Sequence, residues 1–251
     1  MKKFPASPRS CTVVVLLALA SCAGPQLDPR WSASAEEQLR AIEKRYLDAP
    51  SLQWSSESTI ELRQLGSEKV TAELRVDASF KGSDKFKVAC RIKGIQGMAP
   101  TIQSDGQRLR MAPGTHGDIG SDKDVPKDSG RIFRVIFFRA GFPPIRPGSV
   151  FTNSHLFEDI DRQLAVSEVR YGPEGRIQDR EARAILYELR MKGSDPITQI
   201  TLWIDLKTLA ILKRESRDAK GATTTEMFLT TDFKAALPDE TFALPKDAKE
   251  K

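Results

Sequence analysis

Two periods of apolar and polar residues share this chain. In "SASAEEQLRAIEKRYLDA", residues 32–49, Leu39, Ile42 and Tyr46 recur at helical spacing, so the segment reads as a helix that lays one face on something larger. Ser34 with Glu37 three residues on forms a capping box, acidic residues open the first turn, Lys44 and Arg45 sit near the last, and Pro50 ends the helix. From there the period is two. In "VTAELRVDASF", residues 70–80, Val70, Ala72, Leu74, Val76, Ala78 and Phe80 alternate with polar residues. In "KFKVACRIK", residues 85–93, the apolar set is Phe86, Val88, Cys90 and Ile92. Alternation this regular predicts strands with one dry and one wet face, joined here by the turn "KGSD". The pattern returns at residues 51–65, 107–112, 164–171, 180–192, 197–206, 209–218 and 223–234, with turns expected at "YGPEGR", "MKGSDP" and "DAKGAT". Hairpin-length loops between short strands predict an antiparallel sheet of about nine to eleven strands that curls or closes to protect its edges. A closed barrel of about 8 strands already encloses room for a small ligand.

One segment breaks this rhythm. "SGRIFRVIFFRAGFPPIRPG", residues 129–148, sets Ile132, Phe133, Val135, Ile136, Phe137, Phe138 and Phe142 among Arg131, Arg134 and Arg139. At 100° per residue the apolar positions cover most of the circle, so a helix here must be enclosed or must plug something. The segment before it, "GTHGDIGSDKDVPKDSG", reads as a polar loop, and "FPPIRPG" ends whatever lies between.

The beginning of the chain adds a membrane. Lys2, Lys3 and Arg9 precede the apolar run Thr12–Ala20, a basic region and a greasy region of signal-peptide length, too short for a bilayer that needs about 20 apolar residues. The run closes on Leu19, Ala20, Ser21 and Cys22, which resembles the lipobox of bacterial lipoproteins, where the cysteine thiol is acylated. The alternative is an ordinary secretory signal that leaves Cys22 an exposed odd thiol in an oxidising compartment. Cleavage before Cys22 leaves 230 of the 251 residues and removes three cations, taking the formal charge from +5 to +2. A pI near 9.1 therefore overstates the basicity of the working chain and supports no nucleic-acid partner. Cys11 leaves with the signal and Cys22 is acylated, so Cys90 has no partner for an internal disulfide and reads as a small buried hydrophobe. One acyl chain holds a protein only marginally, and two or three anchor it. Ala23, where enteric bacteria use Asp to retain lipoproteins, implies the outer membrane by resemblance to that rule. Residues 1–21 are thus expected to be signal, 22–32 a lipidated tether with Trp31 at the base of the domain, 33–246 the domain, and 247–251 a charged tail.

Candidate chemistry is thin. His155 near Glu158, Asp159 and Asp161 could be a metal site but has no second local histidine, so a solvated acidic loop is preferred. His116 sits alone in the polar loop. Asp118, Asp122, Asp124 and Asp128 invite calcium, but Pro126 and the missing turn glycine break the EF-hand pattern. No nucleophile elbow, phosphate-cradling loop or CxxC pair occurs, so no enzyme, metal or cofactor is expected. Trp54 and Trp203 fall within strands, where a core role competes with a ligand role.

The last third, "ITLWIDLKTLAILKRES" and "TTTEMFLTTDFKAALPDETFALP", resembles the LolA and LolB superfamily of outer-membrane lipoprotein carriers and receptors. The likeness is carried by Trp203, Ile204 and Asp205, then Phe233, Phe242, Leu244 and Pro245, with "QSDGQRLRM" similar to the family's turn at Asp105 and Gly106. In order it covers roughly residues 35–245. It implies a mainly β (α+β) fold, a curved incomplete antiparallel β-barrel with an N-terminal helix and a helical lid, over an apolar cavity for acyl chains. Residues 129–142 become the lid. Trp54, Leu74, Val76, Phe86, Val88, Ile132, Phe133, Ile136, Phe137 and Trp203 become the expected cavity and lid residues. In "RIKGIQGMAP", Ile95 and Met98 match a protruding apolar loop that LolB-type receptors use at the membrane, with an accidental exposed tip as the alternative.

The function expected from all this is an envelope lipoprotein, lipid-anchored at the outer membrane and facing the periplasm, that binds lipid or the acyl chains of lipoproteins for transfer or insertion, with a periplasmic carrier protein as a further partner. Two alternatives stay open: a regulatory module that binds a protein partner, and a structural lipoprotein whose cavity is filled by its own side chains.

Overall fold

A computed structural model describes residues 31, 33–63, 69–93, 101–112, 123–124, 128–141, 159–192 and 197–244. The chain divides into two compact units, Met1–Ser32 and Ala33–Lys251, and the second holds the fold. It is mainly β, as expected, and antiparallel throughout.

Helix α1 (Ala35–Asp48) begins as its sequence requires: Glu37 N–H donates to Ser34 Oγ at 3.2 Å while the Glu37 carboxylate accepts from Ser34 N–H at 2.9 Å. Those Ser34 bonds hold the Glu37 carboxyl below its usual range. Leu39, Ile42 and Tyr46 are buried on one face. Replacing Ser34 with alanine is expected to cost about 1 kcal/mol, read as a lower urea midpoint at unchanged slope; an unchanged midpoint would show that tertiary packing alone sets this helix end.

Among the described residues eleven strands follow: β1 (Ser51–Arg63), β2 (Lys69–Lys81), β3 (Lys85–Ile92), β4 (Thr101–Asp105), β5 (Arg108–Ala112), β6 (Lys123–Asp124), β7 (Leu164–Ile177), β8 (Arg180–Met191), β9 (Ile197–Asp205), β10 (Ile211–Arg217) and β11 (Thr223–Asp232). Their order is β6-β5-β4-β3-β2-β1-β11-β10-β9-β8-β7. Each half of the chain is a meander, and β11 returns to pair with β1 and fuse the two. Because β6 and β7 stand at opposite edges, the sheet is open, and the chain that connects them carries helix α2 (Ser129–Arg139) across one face. Register shifts at Ser55/Ser56 in β1, at Ile211/Lys213 in β10 and twice in β7 mark bulges, which bend a sheet locally. The bend wraps the sheet around α2, which meets residues from strands as far apart as β3 and β8.

One reading of the turns needs correction. "YGPEGR" is not a turn: it lies inside β7, where an edge position tolerates Pro173 and the bulges absorb the glycines. The chain reverses instead at Gln178 and Asp179, with φ of 50° and 63°, a two-residue hairpin turn made without glycine. Strands β4 and β6 also went unread, the second because two residues carry no period. The turns at "KGSD" and "DAKGAT" form as expected, with Gly82 and Gly221 at positive φ. Among the described residues no helix is long and apolar enough to cross a membrane.

Candidate functional site

Helix α2 is buried on nearly every side, as its all-round apolar pattern requires; only Arg131 is exposed and Arg139 partly so. Phe133 sits 4.5 Å from Phe86 between ring centroids, Phe137 lies 5.9 Å from Trp54, and Trp54 stacks on Phe80 at 5.3 Å. These rings join the helix to β1, β2 and β3 in one aromatic layer. At the start of the helix a Cβ on Gly130 would stand 2.3 Å from Ser83 O, so glycine permits this close approach.

Polar groups then fix the helix at its middle and at its C-terminal end. Arg134 is 3% exposed. Its Nη1 donates to Tyr46 O at 3.3 Å, Leu47 O at 2.9 Å and Ala49 O at 2.7 Å, and its Nη2 to Gly82 O at 3.0 Å. A helical cation thereby caps the C-terminal carbonyls of α1, and burial pulls its pKa down to about 10. Arg139, in the last turn, pairs with Glu43 at 2.7 Å and with Asp161 at 2.8 Å, while Tyr187 OH donates to Arg139 O at 2.7 Å. From β10, Arg214 donates to Phe138 O at 2.9 Å and to Glu226 Oε2 at 2.8 Å. Burial pushes the Glu226 carboxyl up, opposed by Arg214 and by Ser56, whose hydroxyl donates to Glu226 Oε1 at 2.7 Å. Ser58 Oγ, on the same face of β1 as Ser56, is buried without a partner.

Among the described residues little space remains between helix and sheet. The cavity bordered by Tyr46, Leu52, Trp54, Phe137, Ile211 and Phe228 measures about 10 Å³, enough for one water and no acyl chain. Outside it, among the described residues, two grooves border α1. One of about 440 Å³ lies between α1, the β2–β3 turn and the exposed side of α2. The other, of about 360 Å³, lies between α1 and β7.

Of the expected cavity and lid residues, Trp54, Leu74, Val76, Phe86 and Val88 are buried on strands β1–β3, and Ile132, Phe133, Ile136 and Phe137 are buried on α2. Trp203 is a correction. Its neighbours Leu202 and Ile204 share a face with Arg214 and Ile211, which meet α2 and its cavity, so Trp203 points to the opposite face. There its Nε1 donates to Glu215 at 2.9 Å and its ring lies against Gly175. Cys90 is buried and burial pushes its thiol up to about 11, which suits a core residue. Asp159 caps the short helix α3 (Ile160–Gln163), and Asp161 pairs with Arg139. Asp105 accepts from the N–H groups of Gln107 and Arg108, with Gly106 at φ 97°, as the family turn implied. Phe233 packs edge-on to Tyr46 at 4.9 Å and Phe242 is buried. Cys22, Ile95, Met98, Phe142, His116, His155 and Pro245 lie outside the described residues.

Arg134, Arg139, Arg214 and Glu226 were missed as a group. Only part of their signal was present: Arg134 interrupts an otherwise apolar helix, whereas Met227 and Leu229 make the phase opposite Glu226 and Phe228 look equally dry.

The class defined by this geometry is an open, curved antiparallel sheet with an apolar helix seated in its hollow. Among solved structures the chain is similar to a LolA superfamily protein from Nitrosomonas europaea, at 10% identity and a TM-score of 0.37 over 85% of this chain and 99% of that one. It is similar at 10% identity and a TM-score of 0.36 to a DUF1329 family protein from Desulfovibrio piger, over 84% and 98% of the two chains. An outer membrane lipoprotein-sorting protein domain from Vibrio parahaemolyticus gives 11%, 0.35, 83% and 97% respectively. No protein-family model matches the chain, and no curated protein does.

Proposed function

We propose that this protein is a lipid-anchored envelope protein that takes an acyl chain, from lipid or from another lipoprotein, into the hollow now filled by α2. The observation that supports this is the helix itself: it is apolar around its circumference, yet polar groups at its middle and its C-terminal end hold it in the hollow. The exchange is balanced in magnitude. Six apolar side chains of α2, at about 1.5–3 kcal/mol each, cover much the same range as an acyl chain of about 16 carbons at about 0.8 kcal/mol per methylene. On the apolar terms alone an acyl chain can therefore replace the helix without a large net cost, and the polar holds on α2 set the remaining barrier. Cys22 would hold the domain at the outer membrane, facing the periplasm.

The filled hollow also favours a second reading, in which α2 is a permanent part of the core and the protein is a structural lipoprotein. One experiment separates them. The chain with Cys22→Ser, which takes no acyl group of its own, is examined by native mass spectrometry and titrated with a fluorescent long-chain fatty acid. Co-purifying acylated molecules or saturable probe binding are expected. A folded protein that carries none and rejects the probe would overturn the acyl reading in favour of the structural one.

A further inference from the structure

The groove of about 440 Å³ is of ligand size, and its charge is unbalanced. Arg40, Lys44, Arg131, Arg134 and Arg139 line it, against the carboxylates of Glu43, Asp48 and Asp161. Arg139 is committed to Glu43 and Asp161, and Arg40 to Glu36 at 2.6 Å, which lies outside the groove, while Lys44 meets Asp48 at 3.3 Å with its side chain largely exposed. Arg131 reaches Asp161 only at 3.5 Å and is half exposed. Arg134 brings a buried positive charge met by four carbonyl oxygens and, among the described residues, by no carboxylate in ion-pair range. Carbonyl dipoles solvate that cation and Asp48 acts on it only through space, so with five cations lining it against three carboxylates the groove keeps a net positive field close to a low-dielectric wall.

The groove shares Arg40, Glu43, Arg139 and Asp161 with the neighbouring one of about 360 Å³, whose other walls include Leu39, Phe138, Val166, Val169 and Tyr187. A cationic compartment thus adjoins a half-apolar one, beside the helix that must move for an acyl chain to enter. We infer that the cationic groove binds a phosphate group, with Arg131 and Lys44 as its accessible ligands, so that an acyl chain attached to that phosphate would lie in the adjoining groove and reach α2. This builds on the acyl-chain reading by naming the headgroup, and its source is either a phospholipid or free phosphate.

The test uses the full chain with Cys22→Ser and three probes below their micelle concentrations: dihexanoyl phosphatidic acid, dihexanoylglycerol, which lacks the phosphate, and inorganic phosphate. Phosphatidic acid is expected to bind at least about tenfold tighter than dihexanoylglycerol, and more weakly as salt rises. Arg131→Gln and Lys44→Gln are each expected to weaken it about tenfold, and Asp48→Asn to strengthen it, a reversal of sign that a merely structural role would not produce. Binding of inorganic phosphate as tight as that of phosphatidic acid, with the same response to the variants, would identify free phosphate as the source. Equal binding of phosphatidic acid and dihexanoylglycerol, or variants without effect, would overturn the inference. A long-chain alcohol measured on the same samples keeps the two proposals apart: alcohol bound with no gain from phosphate leaves the acyl reading standing and the phosphate site lost, and phosphate bound with no acyl uptake does the reverse.

Discussion

Arg214→Met is expected to lower the folding free energy by about 3–5 kcal/mol, because it leaves the Glu226 carboxylate buried without its cation. Both side chains are almost fully enclosed, at 4% and 3% exposure, and the pair is met at 2.8 Å. The same guanidinium donates to Phe138 O, so the variant also releases the last turn of α2. Only Ser56 would then donate to Glu226, and the carboxyl, already pushed up by burial, would rise further. The sign of the pH dependence follows. A carboxyl whose folded pKa exceeds its unfolded value binds its proton more tightly when folded, so stability is greatest in acid and falls as pH climbs from the unfolded pKa, about 4.3, towards the folded one. Urea unfolding at pH 5 and pH 8 should therefore show a larger deficit at pH 8. The double variant with Glu226→Leu is expected to recover most of the loss at both pH values, since an apolar pair of similar volume carries no desolvation cost. A single variant within about 1 kcal/mol of the parent at both pH values would show that the pair is not held as a charged pair.

The sheet was legible because period two survives wherever one face is wet: β1, β2, β3, β8, β9 and β11 begin and end within three residues of where the alternation placed them. The failures have separate physical causes. At Gln178 and Asp179 positive φ is carried by residues that do not advertise it, whereas Gly172, Pro173 and Gly175 advertise a turn and instead serve an edge strand with bulges. In "ITLWID" the alternation itself puts Trp203 on the polar phase with Thr201 and Asp205, opposite Ile200, Leu202 and Ile204; the size of its apolar ring outweighed that signal in the expectation of a cavity residue. Helix α2 was legible as something enclosed, since no amphipathic face exists to orient it. That it fills the hollow down to about 10 Å³ follows from side-chain volumes in three dimensions, which a pattern of apolar positions does not carry. The same limit hid Arg214 and Glu226. Charged residues in a strand read as wet, and only the pairing of β10 with β11 and the approach of Phe138 make their burial tolerable.

The second large effect concerns the hold on α2, where one substitution should move stability and ligand affinity in opposite directions. Arg134 forms its four hydrogen bonds only while the helix is seated; with α2 displaced, its guanidinium and the α1 carbonyls would be solvated by water. Arg134→Leu removes bonds worth about 1.5–3 kcal/mol each to a charged donor, sharing one desolvation cost, so a net loss of about 3 kcal/mol from the seated state is expected. Urea unfolding should report that loss. If an acyl chain enters only when α2 leaves, the variant raises the population of the competent state, and the apparent dissociation constant falls by the same factor. At about 1.4 kcal/mol per tenfold, the gain in affinity for a long-chain acyl probe should be on the order of 100-fold. Ser34→Ala separates this from general loosening, because it weakens the far end of α1 and leaves the Arg134 contacts in place; its probe affinity should match the parent. If the helix were a permanent part of the core, Arg134→Leu would lose stability with no gain in acyl binding.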